Sequence, residues 1–420
     1  MKANMTSPLD RLDSGPVAET ARIDAIDVLR GFALLGILVM NIQAFAMPQA
    51  AYFNPTAYGD LEGANLYVWL AGRMLADQKF MAIFSMLFGA GIVLMAERSE
   101  GRGGAARLHY RRMGYLLVIG LLHAYLLSHG DILFTYAVCG VAVYPLRRLS
   151  PGWLAALGTT LLAVGSATSV AAGLSLEYWP KEALTAFTAD VWRPTPEMIE
   201  SSLAAFRGSW LEQQPARSEE AFAFQTFVLI TWGFWRAGGL MLMGMALFKR
   251  DVFSARRSPR FYAGLIAAAV AVGLPLQAYG LSLDFERGWP VRSFFIGAQF
   301  NYWPSIAVSL GYVGLVMLAC RNPAICRLTR PFAAVGRTAL TNYLMQSVLC
   351  TTIFYGHGLG WFGSVDRLGQ MGVVAGVWAV QLVASPLWLR RFRFGPAEWA
   401  WRSLAYGARQ PLQRTPVPKP

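Results

Sequence analysis

The sequence predicts an all-α fold, a polytopic integral membrane helical bundle of about ten transmembrane helices with both termini cytoplasmic. Three observations carry that expectation. The 420-residue chain is 55% hydrophobic and only 15% charged. It returns repeatedly to apolar runs of about 20 residues, the length that crosses a hydrocarbon core. Its basic residues gather in short loops between those runs. The net charge of +13 would suggest nucleic acid in a soluble chain, but here it follows the positive-inside rule, so no nucleic acid partner is expected.

The spans read from the apolar runs are Val28–Ala46, Lys79–Ala96, Met113–Ser128, Ile132–Leu146, Trp153–Leu174, Phe222–Phe248, Phe261–Leu281, Tyr302–Cys320, Phe332–Tyr355 and Met371–Leu389. With the amino terminus inside, 25 of the 37 lysines and arginines fall on the cytoplasmic side, 9 on the other and 3 within helices. Residues 1–21 lack the apolar core and cleavage site of a secretory signal and read as a disordered cytoplasmic tail, with the first helix as an uncleaved anchor. Residues 22–220 then form one five-helix half, ending in a polar loop at 175–221. Residues 222–407 form the second half, and 408–420 a flexible tail. The four cysteines show no paired metal-ligand spacing and read as reduced thiols; no metal is expected.

The stretch RIDAIDVLRGFALLGILVMNI, from Arg22 to Ile42, opens with Asp27 and Arg30 and stays apolar until Asn41. Eleven residues place Arg30 and Asn41 on one helix face, roughly 16 Å apart along the axis. Asn41 at that depth is a candidate site residue, or simply an interhelical hydrogen bond. Between Pro48 and Gln78 the piece NLYVWLAGRMLADQ, with Arg73 and Asp77 at helical spacing, reads as a short helix in the outer interface. Gly89 and Gly91 in the next span suit close helix packing.

The hairpin LLHAYLLSHGDILFTYAV holds His123, His129 and Asp131 within nine residues. Two of the four histidines beside a carboxylate, at the outer mouth, make the best acid–base cluster in the chain. A lone intramembrane histidine that bonds a neighbouring helix, and a turn cap at Asp131, are the plainer alternatives. The loop at 175–221 is large enough for a lid or acceptor-binding cap, or is an interfacial excursion. Arg236 lies inside the sixth span, where it needs a cavity or an acidic or carbonyl partner. In the ninth span Arg337 sits one turn from the cytoplasm, and Thr338, Asn342 and Gln346 repeat every four residues, a polar stripe for a helix interface or a cavity. Arg30 and Arg337 together would form a phosphate-binding mouth. The segment RRFRFGPAEWAWRSLAYG reads as a basic, tryptophan-rich piece on the inner membrane surface.

The opening ID-x-x-RGFALLGILVMN, the run KFMAIFSMLFGAG, the HGDIL hairpin and the pair VGRTALTNYLMQSVLCTTIFY and RFGPAEWAWRSL resemble the YeiB-like membrane proteins, domain-of-unknown-function family 418. That resemblance covers Ile23 to Gly407. The opening also resembles, more distantly, heparan-α-glucosaminide N-acetyltransferases and the acyltransferase-3 membrane enzymes. In that wider group an arginine at the start of the first helix is followed eleven residues later by His or Asn, here Arg30 and Asn41.

This resemblance implies a transmembrane acyltransferase with cytoplasmic acyl-CoA as donor. The heparan-type enzymes place a catalytic histidine after the first helix, and Met47–Gln78 has none, so either His123 substitutes from the third helix or the scaffold has another use. Arg30 and Arg337 would hold CoA phosphates, Asn41 would line the acyl path, and His123 with Asp131 and His129 would supply base and orienter. Asp27, Arg236, Asn342 and Gln346 complete the expected binding set. The alternative is a transporter or exporter of a small polar or lipid-linked solute, with Asn41, Arg236 and Asn342 lining its path; a third is a receptor or assembly factor. Expected partners are the lipid bilayer, a small-molecule, glycan or lipid-linked acceptor, and a second copy of the chain as a homodimer. The expected location is the bacterial cytoplasmic (inner) membrane.

Overall fold

In a computed structural model the described residues are 24–100 and 104–414; Arg22 and the tail expected over 1–21 lie outside them. In chain order the helices are α1 (Asp24–Ala46), α2 (Ala50–Phe53), α3 (Gly63–Leu75), α4 (Lys79–Glu100), α5 (Ala105–Leu126), α6 (Leu133–Val143) and α7 (Pro151–Ser175). There follow α8 (Lys181–Phe187), α9 (Pro196–Arg207), α10 (Gln214–Ala223), α11 (Phe234–Lys249), α12 (Pro259–Ala268), α13 (Leu274–Glu286) and α14 (Gln299–Tyr302). The last five are α15 (Pro304–Arg321), α16 (Pro323–Arg337), α17 (Ala339–Phe354), α18 (Arg367–Arg391) and α19 (Pro396–Tyr406). Several begin on the same local signal. Ser150, Ser258 and Asn322 each accept a backbone N–H, with a proline directly after them, a start that satisfies one orphan donor and fixes φ for the first turn. No strand forms among the described residues.

Seven helical segments are individually long and apolar enough to cross a membrane: Asp24–Ala46, Gly63–Arg98, Pro151–Tyr178, Gln214–Lys249, Pro259–Glu286, Ser293–Arg321 and Arg367–Arg391. The chain is thus a multi-pass membrane protein. The other expected spans are helices too, but different in kind. The first turns of α5 carry Arg107, His109, Arg111 and Arg112; α6 has 11 residues and α17 has 16. Leu174, Val272 and Val383 are exposed, apolar side chains directed outward that suit lipid contact.

One expected span is broken. The ninth does not run unbroken from Phe332 to Tyr355, because Thr338 leaves helical geometry with ψ near 36° and separates α16 from α17. Both sides of the break are held by tertiary contacts. Before it, Gly336 and Gly31 let α16 and α1 touch backbone to backbone: a methyl group at either would overlap a carbonyl of the other helix. After it, Glu398 of α19 accepts the Leu340 and Thr341 amides at 2.6 and 3.2 Å and the Thr341 hydroxyl at 2.6 Å. The carboxylate thereby caps α17 from another helix, which gives the RFGPAEW segment its structural role. A second glycine crossing joins α4 and α11 through Gly89 and Gly244; Gly91, expected to act with Gly89, faces open space.

Helix α1 packs against α4, α16, α17 and α18, so the two halves of the chain interlock. Of the expected flexible tail, residues 408–414 fold back: Arg393 N–H donates to Leu412 O and Arg414 N–H to Arg391 O. The bundle has a basic end, bearing α16 and α19, and a cap end, bearing α3 and α8–α10.

Candidate functional site: a buried carboxylate, imidazole and hydroxyl

Beneath the cap helices, which hold the Leu126 carbonyl at its end, helix α5 makes a tight turn into α6, and that turn fixes Asp131. Its Oδ2 accepts the Phe134 amide at 2.7 Å, the cap role anticipated for it, which leaves Oδ1 directed at α5. Oδ1 lies 2.9 Å from His123 Nδ1, and His123 Nε2 lies 2.8 Å from Ser347 Oγ on α17. A carboxylate only accepts, so the proton of the neutral imidazole sits on Nδ1 and Nε2 is left to accept the Ser347 hydroxyl. The three residues are 1–3% exposed. Tyr343, one turn before Ser347, places its ring 5.0 Å from that of His123. The line of carboxylate, imidazole and hydroxyl is the arrangement that lets a hydroxyl lose a proton in a low-dielectric site.

His129 lies just outside this line. Its Nδ1 is 2.8 Å from a Glu220 oxygen and its Nε2 3.3 Å from Gln49 Oε1. The loop expected over 175–221 closes above it as a cap. Trp210 and Arg217 both donate to Leu126 O, at 3.0 and 2.9 Å, and Arg207 donates to Phe362 O at 2.7 Å. Helices α9 and α10 therefore tie down the α5–α6 turn and the segment after α17.

The basic end holds a cavity of about 1200 Å³, lined by Lys249, Arg256, Arg330, Arg337, Arg390 and Arg414 with Asp24, Asp27, Glu97 and Asp251. Arg337 thus faces a cavity. Arg30 does not line it; it pairs with Asp27 at 2.7 Å and donates to Gly336 O at 3.4 Å. The two arginines share one helix crossing without forming the mouth expected from them jointly, because Arg30 is turned away toward its own helix and α16.

The remaining candidates are held in closed packing. Arg236 is fully buried and its hydrogen bonds go to a carbonyl and a hydroxyl, Tyr302 O at 2.7 Å and Ser305 Oγ at 2.6 Å; it stacks over the Tyr302 ring, with the Asp77 carboxylate acting on it from farther off. Asn342 donates to Thr338 Oγ1 and Ser385 Oγ at 2.8 and 2.9 Å, and Gln346 donates to Gln381 Oε1 at 3.0 Å, so the α17 stripe is a hydrogen-bonded seam with α18. Asn41 is half-buried and makes no side-chain hydrogen bond among the described residues. Arg30, Asn41, His123, Arg236 and Arg337 do not come together: Arg30 and Arg337 lie at the α1–α16 crossing, His123 sits against the middle of α17, and Arg236 is packed against α14 and α15.

Sequence reasoning passed over Ser347, a lone hydroxyl beside Gln346, and placed Arg73 and Asp77 on an interfacial helix without joining them to Lys79 and Asn301, with which they form a largely buried cluster. In that cluster Lys79 Nζ donates to Asn301 Oδ1 at 2.7 Å, and Asn301 Nδ2 donates to Asp77 Oδ2 at 2.7 Å. The close spacing of Arg73, Asp77 and Lys79 was the available signal for it.

Residues 247–408 match the family described as "Protein of unknown function (DUF418)". Over 394 residues the chain is 31% identical to "Uncharacterized protein YeiB" of Escherichia coli (strain K12), covering 92% of this chain and 97% of that protein. It is 29% identical over 422 residues to "Uncharacterized protein YxaH" of Bacillus subtilis (strain 168), covering 95% and 98% of the two chains. A protein of Bacillus acidopullulyticus, "Uncharacterized 39.9 kDa protein in amylase 3'region", is 26% identical over 398 residues, covering 94% and 97%.

Proposed function

Since this chain belongs to the DUF418 family of YeiB-like membrane proteins and buries an imidazole between a carboxylate and a hydroxyl, we propose that it is a transmembrane acyltransferase. It takes an acyl group from cytoplasmic acyl-CoA and delivers it to an acceptor, a small molecule, glycan or lipid-linked sugar, on the far side of a bacterial inner membrane. The observation that carries this reading is the pair of contacts at His123, 2.9 Å to Asp131 and 2.8 Å to Ser347. An imidazole so oriented accepts a proton from an attacking hydroxyl or amine, while Asp131 fixes its tautomer and stabilises the imidazolium.

In this reading α5, α6 and the α16–α17 pair count as passages alongside the seven long ones, ten in all, which leaves both termini cytoplasmic. The basic end is then the inner end, where its cavity, rich in arginine around Arg337, suits the phosphates of CoA. The cap end is the outer end, and His129 with Glu220 stands where an acceptor would enter.

The test uses the full chain in lipid vesicles, with acyl-CoA supplied on one face. Expected results are binding of acyl-CoA from the α16–α19 face and thiol release that His123→Ala abolishes while binding persists. Reporter fusions in the loop at 175–221 are expected to read extracytoplasmic. An absence of CoA affinity together with substrate-dependent flux would replace the acyltransferase with a transporter.

A further inference from the structure

We infer that Ser347 is a nucleophile that carries the acyl group as an ester midway across the membrane, between the cytoplasmic donor and the outer acceptor. This rests on the acyl-transfer reading and adds a covalent intermediate to it.

The position of Ser347 makes the case. Gln346, its neighbour, donates to the carbonyl of Leu34, which lies near the middle of α1. Ser347 is eight residues into α17, about 12 Å from the helix start beside the basic cavity. The hydroxyl therefore stands at mid-depth, within an acyl-pantetheine arm's length of the basic end. A donor held at one face and an acceptor held at the other are too far apart to meet in one step, whereas a carrier between them needs each to travel only part of the way.

Its chemical setting completes the argument. The Ser347 hydroxyl donates to His123 Nε2, the nitrogen left basic by the Asp131 contact at Nδ1. The Tyr343 hydroxyl, on the same face one turn earlier, lies 3.4 Å from Ile132 N–H, 3.5 Å from Gly130 O and beside the Asp131 carboxylate, so it helps to hold the α5–α6 turn against α17.

The steps balance. Ser347 Oγ gives its proton to His123 Nε2 and attacks the thioester carbonyl; the C–S bond breaks and CoA leaves as the thiol, taking the proton from His123. The acceptor hydroxyl or amine then gives its proton to His123 and attacks the serine ester. The C–Oγ bond breaks, and Ser347 recovers that proton.

Two probes applied to the full chain in lipid vesicles test this separately from the donor assignment. A small alkyl fluorophosphonate should label Ser347, with labelling lost in Ser347→Ala and His123→Ala. Acyl-CoA labelled in its acyl group, given without acceptor, should leave one equivalent of label on the peptide containing Ser347; Ser347→Cys should carry it as a hydroxylamine-sensitive thioester even should the alanine variant misfold. Acyl transfer that continues in Ser347→Ala without a labelled intermediate overturns the serine ester and leaves direct transfer through His123 standing. Fluorophosphonate labelling without thioester cleavage keeps the nucleophile and overturns the CoA donor. Neither labelling nor cleavage overturns both.

Discussion

Two of the polar groupings buried among the described residues look alike in sequence. Around Arg236, and along Asn342 and Gln346, the hydrogen-bond partners among the described residues are backbone carbonyls, amides and hydroxyls of packed helices. Around His123 the partners are a carboxylate and a hydroxyl. The first kind of cluster has no group that changes protonation near neutral pH, so it fixes helix register and nothing more. The second can move a proton without moving a helix. Burial and polarity do not tell the two apart; the chemistry of the partner atoms does.

Variants can break or sharpen that contrast. The largest effect is expected at His123→Ala, with thioester cleavage per folded molecule falling about a hundredfold or more, read by thiol release, and with stability lowered too because the buried Asp131 carboxylate loses its partner. Next comes Arg236→Ala, which strands the Tyr302 carbonyl and Ser305 hydroxyl in the core. It should cost several kcal/mol, of order 2–4, and appear as lost folded yield, with unchanged turnover per folded molecule. Arg236→Lys should recover only part, because a lysine cannot reproduce two planar contacts.

Smaller effects belong to the seam and the cap of α17. Asn342→Ala and Gln346→Ala should each cost about 0.6–1.7 kcal/mol, with the paired variants of Ser385 and Gln381 adding less than their sum because the bonds are shared. Burial raises the Glu398 carboxyl above its ordinary value, and its hydrogen bonds from Thr341 and the α17 amides oppose the shift. A raised value in the folded state means that folding favours the protonated form. Its contribution is then full below the ordinary carboxylate range and declines as pH rises through the raised value. The stability of the native chain relative to Glu398→Gln should therefore fall from acid pH toward neutral, measured as the difference between their thermal midpoints.

Legibility in the sequence followed the range of the interactions. The helices α1, α4, α7, α11 to α13, α15 and α18 were written in apolar length, and the cap in a proline-divided polar loop. His123 and Asp131 stood out because they lie eight residues apart. Ser347 did not, since its partner comes from 224 residues away and a single serine in an apolar helix leaves no periodic trace. The break at Thr338 was likewise hidden, being set by a glycine crossing with α1 and a carboxylate from α19. Arg236 announced the need for a partner but not its identity, which proved to be a carbonyl.

The central claim is that the His123 cluster is reactive and the contacts of Arg236, Asn342 and Gln346 are scaffolding. Its most direct test is to measure thioester turnover and thermal stability side by side in His123→Gln, a variant that keeps hydrogen-bonding atoms but cannot accept a proton. Turnover abolished with stability within about 1 kcal/mol of the native chain is the predicted result. Turnover retained with stability lost would make His123 another structural tie between α5 and α17.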